Sequence, residues 1–155
     1  MPQLVVDQII AAPPQVVWDA VTDWGAQSEW VIATTVVVGH GNGHGVGGQL
    51  EAFTGFGRLG VRDPMIVTEW NPPWRCVVEH RGDVVRGLGV IEVVALPEGR
   101  SRLVWTEDLD LPLGLVGTLG WPVARPLATW GIRRSLRSFA RLVEAGVSRQ
   151  KSSLA

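Results

Sequence analysis

Apolar and polar positions alternate with period two through most of residues 3–111, then recur at helical spacing from about residue 122. The first pattern reads as strands with one buried face and the second as an amphipathic helix. The opening strand covers residues 3–11. Pro13 and Pro14 follow it and suit a first helical turn, where a missing N–H costs nothing. Val17, Ala20 and Val21 give that helix an apolar face, and Asp23 is placed to cap a second short helical piece over 24–29.

Further strands are expected at 31–39, from 49 to 53, and at 61–70, 74–80, 85–96 and 102–111. The glycine-rich segments 39–48 and 54–60 read as turns, Asn71-Pro72-Pro73 as a sharp break, and 81–83 and 97–99 as hairpin turns. In the last helix Ile132, Leu136, Phe139 and Val143 form an apolar stripe, with Arg133, Arg137 and Arg141 on the opposite face. Gly146 is a natural stop, and residues 148–155 are expected to be a disordered tail. This order predicts an α+β fold with an antiparallel sheet of about seven strands, two short helices after the first, and a long C-terminal helix covering the sheet. Neither repeats nor a linker break up residues 1–147, so a single domain is expected.

Alternation also assigns faces. Cys76, Val78 and His80 share one face of their strand; Arg75, Val77, Glu79 and Arg81 share the other, more charged one. Leu103, Trp105, Glu107 and Leu109 form the inward set of the last strand, and Gly87, Gly89, Ile91 and Val93 one set of the strand before it. Strand 61–70 does not declare its inner face, because Asp63, Met65, Val67 and Glu69 mix charge with bulk, as does the alternate set.

Composition narrows the classes. The chain has 155 residues, 46% apolar and 19% charged, so it can bury a substantial core. A net charge of −1 supplies no attraction for a polyanion, and no nucleic-acid partner is expected. One cysteine excludes an internal disulfide. The first residues lack a signal-peptide pattern, which leads to a cytoplasmic expectation. No apolar run is long enough for a transmembrane segment. Aromatic bulk rests on eight tryptophans against three phenylalanines and no tyrosine, and such rings both fill cores and line apolar pockets.

Several motifs lose their chemistry in context. His40 and His44, with His80 as a third ligand, sit in a glycine run expected to hold no rigid metal geometry, so no metal is expected. Residues 43–48 match G-x-G-x-x-G, but a strand follows where the dinucleotide fingerprint needs a helix, and no cofactor is expected. Cys76 reads as a buried inert thiol rather than a nucleophile.

The element order, with Ile9-Ile10-Ala11-Ala12-Pro13-Pro14-Gln15-Val16-Val17-Trp18, resembles the START/Bet v1-like superfamily (SRPBCC), also called the polyketide cyclase/dehydrase and lipid transport family. The corner Val67-Thr68-Glu69-Trp70-Asn71-Pro72-Pro73-Trp74-Arg75-Cys76, the hairpin Gly99-Arg100-Ser101-Arg102-Leu103-Val104-Trp105 and the glycine loop 41–48 are similar to corresponding pieces of that family. The resemblance covers about residues 5–145. It implies a helix-grip fold, a curved antiparallel sheet around the C-terminal helix, with a cavity between them.

Combined with the face assignments, this makes Phe53, Cys76, Val78, Ile91 and Trp105 candidate wall residues, with Met65 from the undeclared strand. Trp30, Trp121 and Trp130 are candidates to close the pocket, and His80 and Glu107 its polar points. The expected function is binding, or transport, of a hydrophobic lipid- or polyketide-like small molecule. Two alternatives stand beside it. His80 and Glu107 are candidate acid/base residues of a cyclase- or dehydratase-like enzyme, provided their strands bring them together. The unusually apolar segment 111–122 is a candidate pocket lid, homodimer contact or membrane-surface contact.

Overall fold

The structure is a computed structural model and describes residues 3–110 and 114–155. Strand β1 (Gln3–Ile10) leads into helix α1 (Pro14–Val21) and a 3-10 turn (Trp24–Glu29). Strands β2 (Thr34–Val38), β3 (Gln49–Phe56), β4 (Leu59–Asn71), β5 (Arg75–Arg81), β6 (Arg86–Leu96) and β7 (Arg100–Asp110) follow, then helix α2 (Leu115–Leu154). The seven strands form one antiparallel sheet in the order β1-β7-β6-β5-β4-β3-β2. Curled into a half-barrel and carrying the long C-terminal helix, it is the helix-grip α+β fold.

The turn from β1 into α1 follows the proline logic. Pro13 is extended at the N-cap and Pro14 takes the first helical position. Val17, Trp18 and Val21 are buried. Thr22 closes the helix by donating its hydroxyl to the Trp18 carbonyl at 2.8 Å. Asp23 occupies the expected cap position of the 3-10 turn, but its side chain makes no capping bond. Its backbone carbonyl accepts from the Ala26 N–H instead, at 3.1 Å, because a 3-10 turn closes on the third residue along.

Several element boundaries differ from expectation. Strand β2 begins at Thr34 rather than at 31, because Val31 and Ile32 leave the ladder and the Ile32 N–H bonds to Ser135 Oγ on α2 at 3.1 Å. The expected turn over 54–60 is mostly strand: Gly55 pairs with Gly60 and Phe56 with Leu59. The glycines there serve close backbone approach rather than a loop, since a Cβ on Gly55 would collide with the Leu59 carbonyl.

Helix α2 starts before Pro122, holds Pro122 and Pro126 within it, and runs through Gly146 to Leu154. That corrects both the stop at Gly146 and the disordered tail. An internal glycine costs only about 1 kcal/mol relative to alanine, and Val147, one turn past Val143, packs on the core.

The core lies between the concave sheet face and the C-terminal half of α2. Leu136, Phe139, Ala140 and Val143 meet Val6, Ile10, Val93 and Leu103 there. Ala11 N–H donates to Glu144 of α2 at 3.0 Å, tying the end of β1 to the helix. The N-terminal half of α2 reaches beyond this core, and the site lies beneath it.

Candidate functional site

Strand register gathers three ionisable side chains on the concave face. His80 of β5 pairs with Met65 of β4, and Asp63 lies two residues from Met65 on the same face. Asp63 Oδ2 is 2.7 Å from His80 Nδ1. Glu107 stands on β7, with β6 between it and His80. Gly87 and Gly89 leave β6 bare at that point, so the two side chains meet across it, His80 Nε2 to Glu107 Oε2 at 3.1 Å. A Cβ on Gly89 would lie 2.9 Å from His80 Nε2. The second Glu107 oxygen accepts from the Trp105 indole N–H at 2.6 Å.

Both ring nitrogens of His80 therefore face carboxylates, an arrangement that only the doubly protonated imidazolium satisfies. Burial opposes this charge and is the largest single influence. The hydrogen bonds and negative charges of Asp63 and Glu107 together outweigh it, and the His80 pKa is raised to about 10.

Two adjoining cavities meet at this cluster. The outer, of about 440 Å³, lies under the N-terminal half of α2, with Trp30, Ile32, Leu109, Leu127 and Trp130 among its walls. The inner, of about 170 Å³, has Gln27, Leu50, Asp63, Met65, Val78 and His80 in its lining. Val31, Thr34, Trp105 and Glu107 border both, so Trp105 and Glu107 form a partition between an apolar mouth and a more polar interior.

Most of the expected lining residues are here. Trp30 and Trp130 border the outer cavity, Met65, Val78, His80 and Ile91 the inner one, and Trp105 and Glu107 both. Three are not. Phe53 sits on the opposite face of β3, where its ring covers Gly60, while Ala52 and Thr54 face the chamber. Cys76 is on the inward face as expected but is sealed in the core, where burial, aided by the Glu69 charge, pushes its thiol up to about 12. Trp121 is half-buried and borders neither cavity.

Asp63 escaped the sequence reading. A bulge between Val67 and Glu69 shifts the phase of β4, so Asp63, Met65 and Val67 face inward while Glu69 turns out to pair with Arg75 at 3.1 Å. The parity of Asp63 with Met65 and Val67 was the signal, and Glu69 at the end of the series obscured it.

The glycine loop is more ordered than expected. Trp24 donates its indole N–H to the Gly43 carbonyl at 3.0 Å. His44 stacks on Trp70 at 5.4 Å and bonds through Nε2 to the Thr22 carbonyl at 2.9 Å. His44 thus fastens the loop to α1, and no group of His, Cys, Asp and Glu among the described residues is arranged to hold a metal ion.

A family model described as polyketide cyclase / dehydrase and lipid transport matches residues 1–144. The chain belongs to this family. Its fold is that of the hydrophobic-ligand-binding SRPBCC proteins. Among solved structures the chain is similar to TTHA0849 from Thermus thermophilus, at 20% identity and a TM-score of 0.79, over 94% of this chain and 99% of that one. It is also similar to a conserved protein from Geobacillus kaustophilus, at 16% identity and 0.71, over 92% and 95%. The Aha1 dimer from Colwellia psychrerythraea follows at 18% and 0.64, over 94% and 98%. At these identities the likeness concerns the fold. Comparison with curated proteins gives no match.

Within this family the chemistry open to the site depends on where its protons are. A general base needs a free lone pair, and His80 presents none while both nitrogens donate. As an acid with a pKa near 10, it holds its proton tightly at neutral pH. No helix among the described residues is long and apolar enough to cross a membrane.

Proposed function

We propose that this family member binds a hydrophobic small molecule, lipid- or polyketide-like, in the double cavity between the sheet and α2. The observation that carries this reading is the outer cavity of about 440 Å³ with its tryptophan and aliphatic walls, opening onto a smaller chamber with a few fixed polar groups. Burying apolar ligand surface there contributes about 25 cal/mol per Å², before the costs of immobilisation. The proton inventory of His80 supports binding over an acid/base reaction. Organic extraction and native mass spectrometry of the purified protein are expected to find a co-purified apolar compound. Failure to find one, together with failure to bind a panel of apolar fluorescent probes, overturns the reading.

A second reading concerns the cavity mouth. Leu119, Val123, Leu127 and Trp130 recur every three or four residues along α2 and are 77%, 69%, 67% and 56% exposed. Arg125, Arg133, Arg134 and Arg137 lie on the same part of the helix, and Glu144 is the sole acidic residue in α2. A basic helix with an exposed apolar stripe and a tryptophan suits the surface of an anionic membrane. Leu127 and Trp130 also border the outer cavity, so the same docking would bring the mouth to lipid. Of the segment 111–122 expected to make such contacts, 111–113 lies outside the described residues. Co-sedimentation with phosphatidylglycerol vesicles, lost in Val123→Glu and weak with phosphatidylcholine alone, is the expected result. Equal sedimentation of both proteins removes the membrane reading.

A further inference from the structure

We infer that the tip of the β3–β4 hairpin enters an anionic bilayer together with the exposed stripe of α2, so that the outer cavity opens toward lipid between two contacts. This rests on the membrane reading above and adds a second point of contact to it.

The hairpin holds apolar bulk out in solvent. Phe56 pairs with Leu59 across the two-residue turn Gly57-Arg58, and Gly57, at φ 61°, supplies the left-handed step such a turn needs. Phe56 and Leu59 are 80% and 84% exposed. They continue the concave face of the sheet. Phe56 is in step with Leu50, Ala52 and Thr54, and Leu59 with Asp63 and Met65, all of which line the inner chamber. The tip thus carries the cavity's own face out past the core, where no described residue covers it.

Register places this tip. Leu50, Met65, His80, Gly87 and Leu109 stand in one row across β3, β4, β5, β6 and β7. From that row β3 and β7 run in the same direction, β3 to the hairpin tip and β7 to the start of α2. Phe56 stands about 20 Å along β3 from the row, at the pole where α2 begins. Just below the tip, Gly55 N–H donates to the Ala33 carbonyl at 2.9 Å, and the adjoining Ile32 borders the outer cavity. Leu127 and Trp130 border the same cavity from α2. The hairpin therefore rises from one rim of the mouth, and the helix stripe forms the other.

Charge and size choose the occupant. Residues 52–62 contain Arg58 and Arg62, both exposed, and no acidic residue. Two side chains on a tight turn cannot supply the roughly 800 Å² per partner of a stable protein interface. They suffice for an interfacial anchor, where apolar burial and attraction to anionic head groups add together.

The test uses the full chain with an environment-sensitive dye on a single introduced cysteine, Phe56→Cys or Val123→Cys. Cys76 is sealed in the core and stays unlabelled. With phosphatidylglycerol vesicles both labels are expected to shift to the blue and to be quenched by spin-labelled lipid, with little response to phosphatidylcholine vesicles. Phe56→Asp should weaken binding to the phosphatidylglycerol vesicles about tenfold or more. A response at position 123 alone overturns the inference and leaves docking by α2 standing. A response at 56 alone overturns the joint contact. An equal response to phosphatidylcholine overturns the choice of an anionic surface. A blue shift at 56 that grows with protein concentration in the absence of vesicles assigns the tip to a second copy of the chain and also overturns the inference. Unchanged affinity in Phe56→Asp does so whichever way the label responds. No response at either position removes the inference and the membrane reading together.

Discussion

His80 carries its charge far above its ordinary range because two carboxylates hold it from both sides. In the unfolded chain the imidazole loses its proton near pH 6.5; in the fold it keeps it to about 10. Its interactions therefore stabilise the fold fully below about pH 6.5, weaken progressively as pH rises, and are lost above about 10. The urea midpoint of the wild type is expected to fall between neutral pH and pH 10 more steeply than that of His80→Gln. Parallel slopes in the two proteins would rule out this linkage. Gly89 is the counterpart on β6: Gly89→Val should drive His80 and Glu107 apart and abolish the difference in slope. Cys76 makes a separate prediction. With its thiol raised to about 12 and sealed in the core, it should resist iodoacetamide in the native protein and react only on unfolding.

At the scale of elements, α2 divides into two halves with different tasks. The C-terminal half grips the sheet. Phe139 is fully buried and packs on Trp30 with ring centroids 4.8 Å apart, so Phe139→Ala should cost about 3–5 kcal/mol of stability, measured by denaturant unfolding. The N-terminal half roofs the outer cavity. Gly131 borders that cavity, and a Cβ there meets no atom within 4 Å. Gly131→Leu should raise stability by up to about 1 kcal/mol through helix propensity, while filling the cavity and weakening binding of an apolar probe about tenfold or more. Unchanged binding in that variant would show that the ligand does not use the outer cavity. The stripe Ile132, Leu136, Phe139 and Val143 was legible because a grip on the core imposes helical spacing. The extension past Gly146 was not, because a glycine that ends one helix is carried within another when the following turn packs, as Val147 does.

At the scale of the whole molecule, the sheet order puts β1 beside β7, so the first and last strands join while β2 forms the other edge. That closure brings Leu4 alongside Glu107 and Leu109 at the rim of the outer cavity. The family motif around Pro13 and Pro14 marked this architecture because it forces the chain from β1 straight into α1, leaving β1 free to pair with the last strand. The docking prediction belongs to this scale too. Cavity mouth, apolar stripe and arginines coincide only on the assembled surface, and vesicle sedimentation of the wild type against Val123→Glu measures whether they act together.

By itself, the pattern of side chains determined most of the strands, the long helix that covers the sheet and the inward faces of β5, β6 and β7, because a period of two or 3.6 reports directly on which residues meet water. It also singled out His80 and Glu107, as polar residues on faces otherwise apolar or bare. Only the tertiary structure decided that they touch. Their contact crosses β6 at two glycines, and no sequence separation encodes a distance through a neighbouring strand. Asp63 likewise needed the fold, because a bulge changes the parity of β4 partway along. The proton held between these three residues depends on burial and on partners from three strands, which exist only once the sheet has formed.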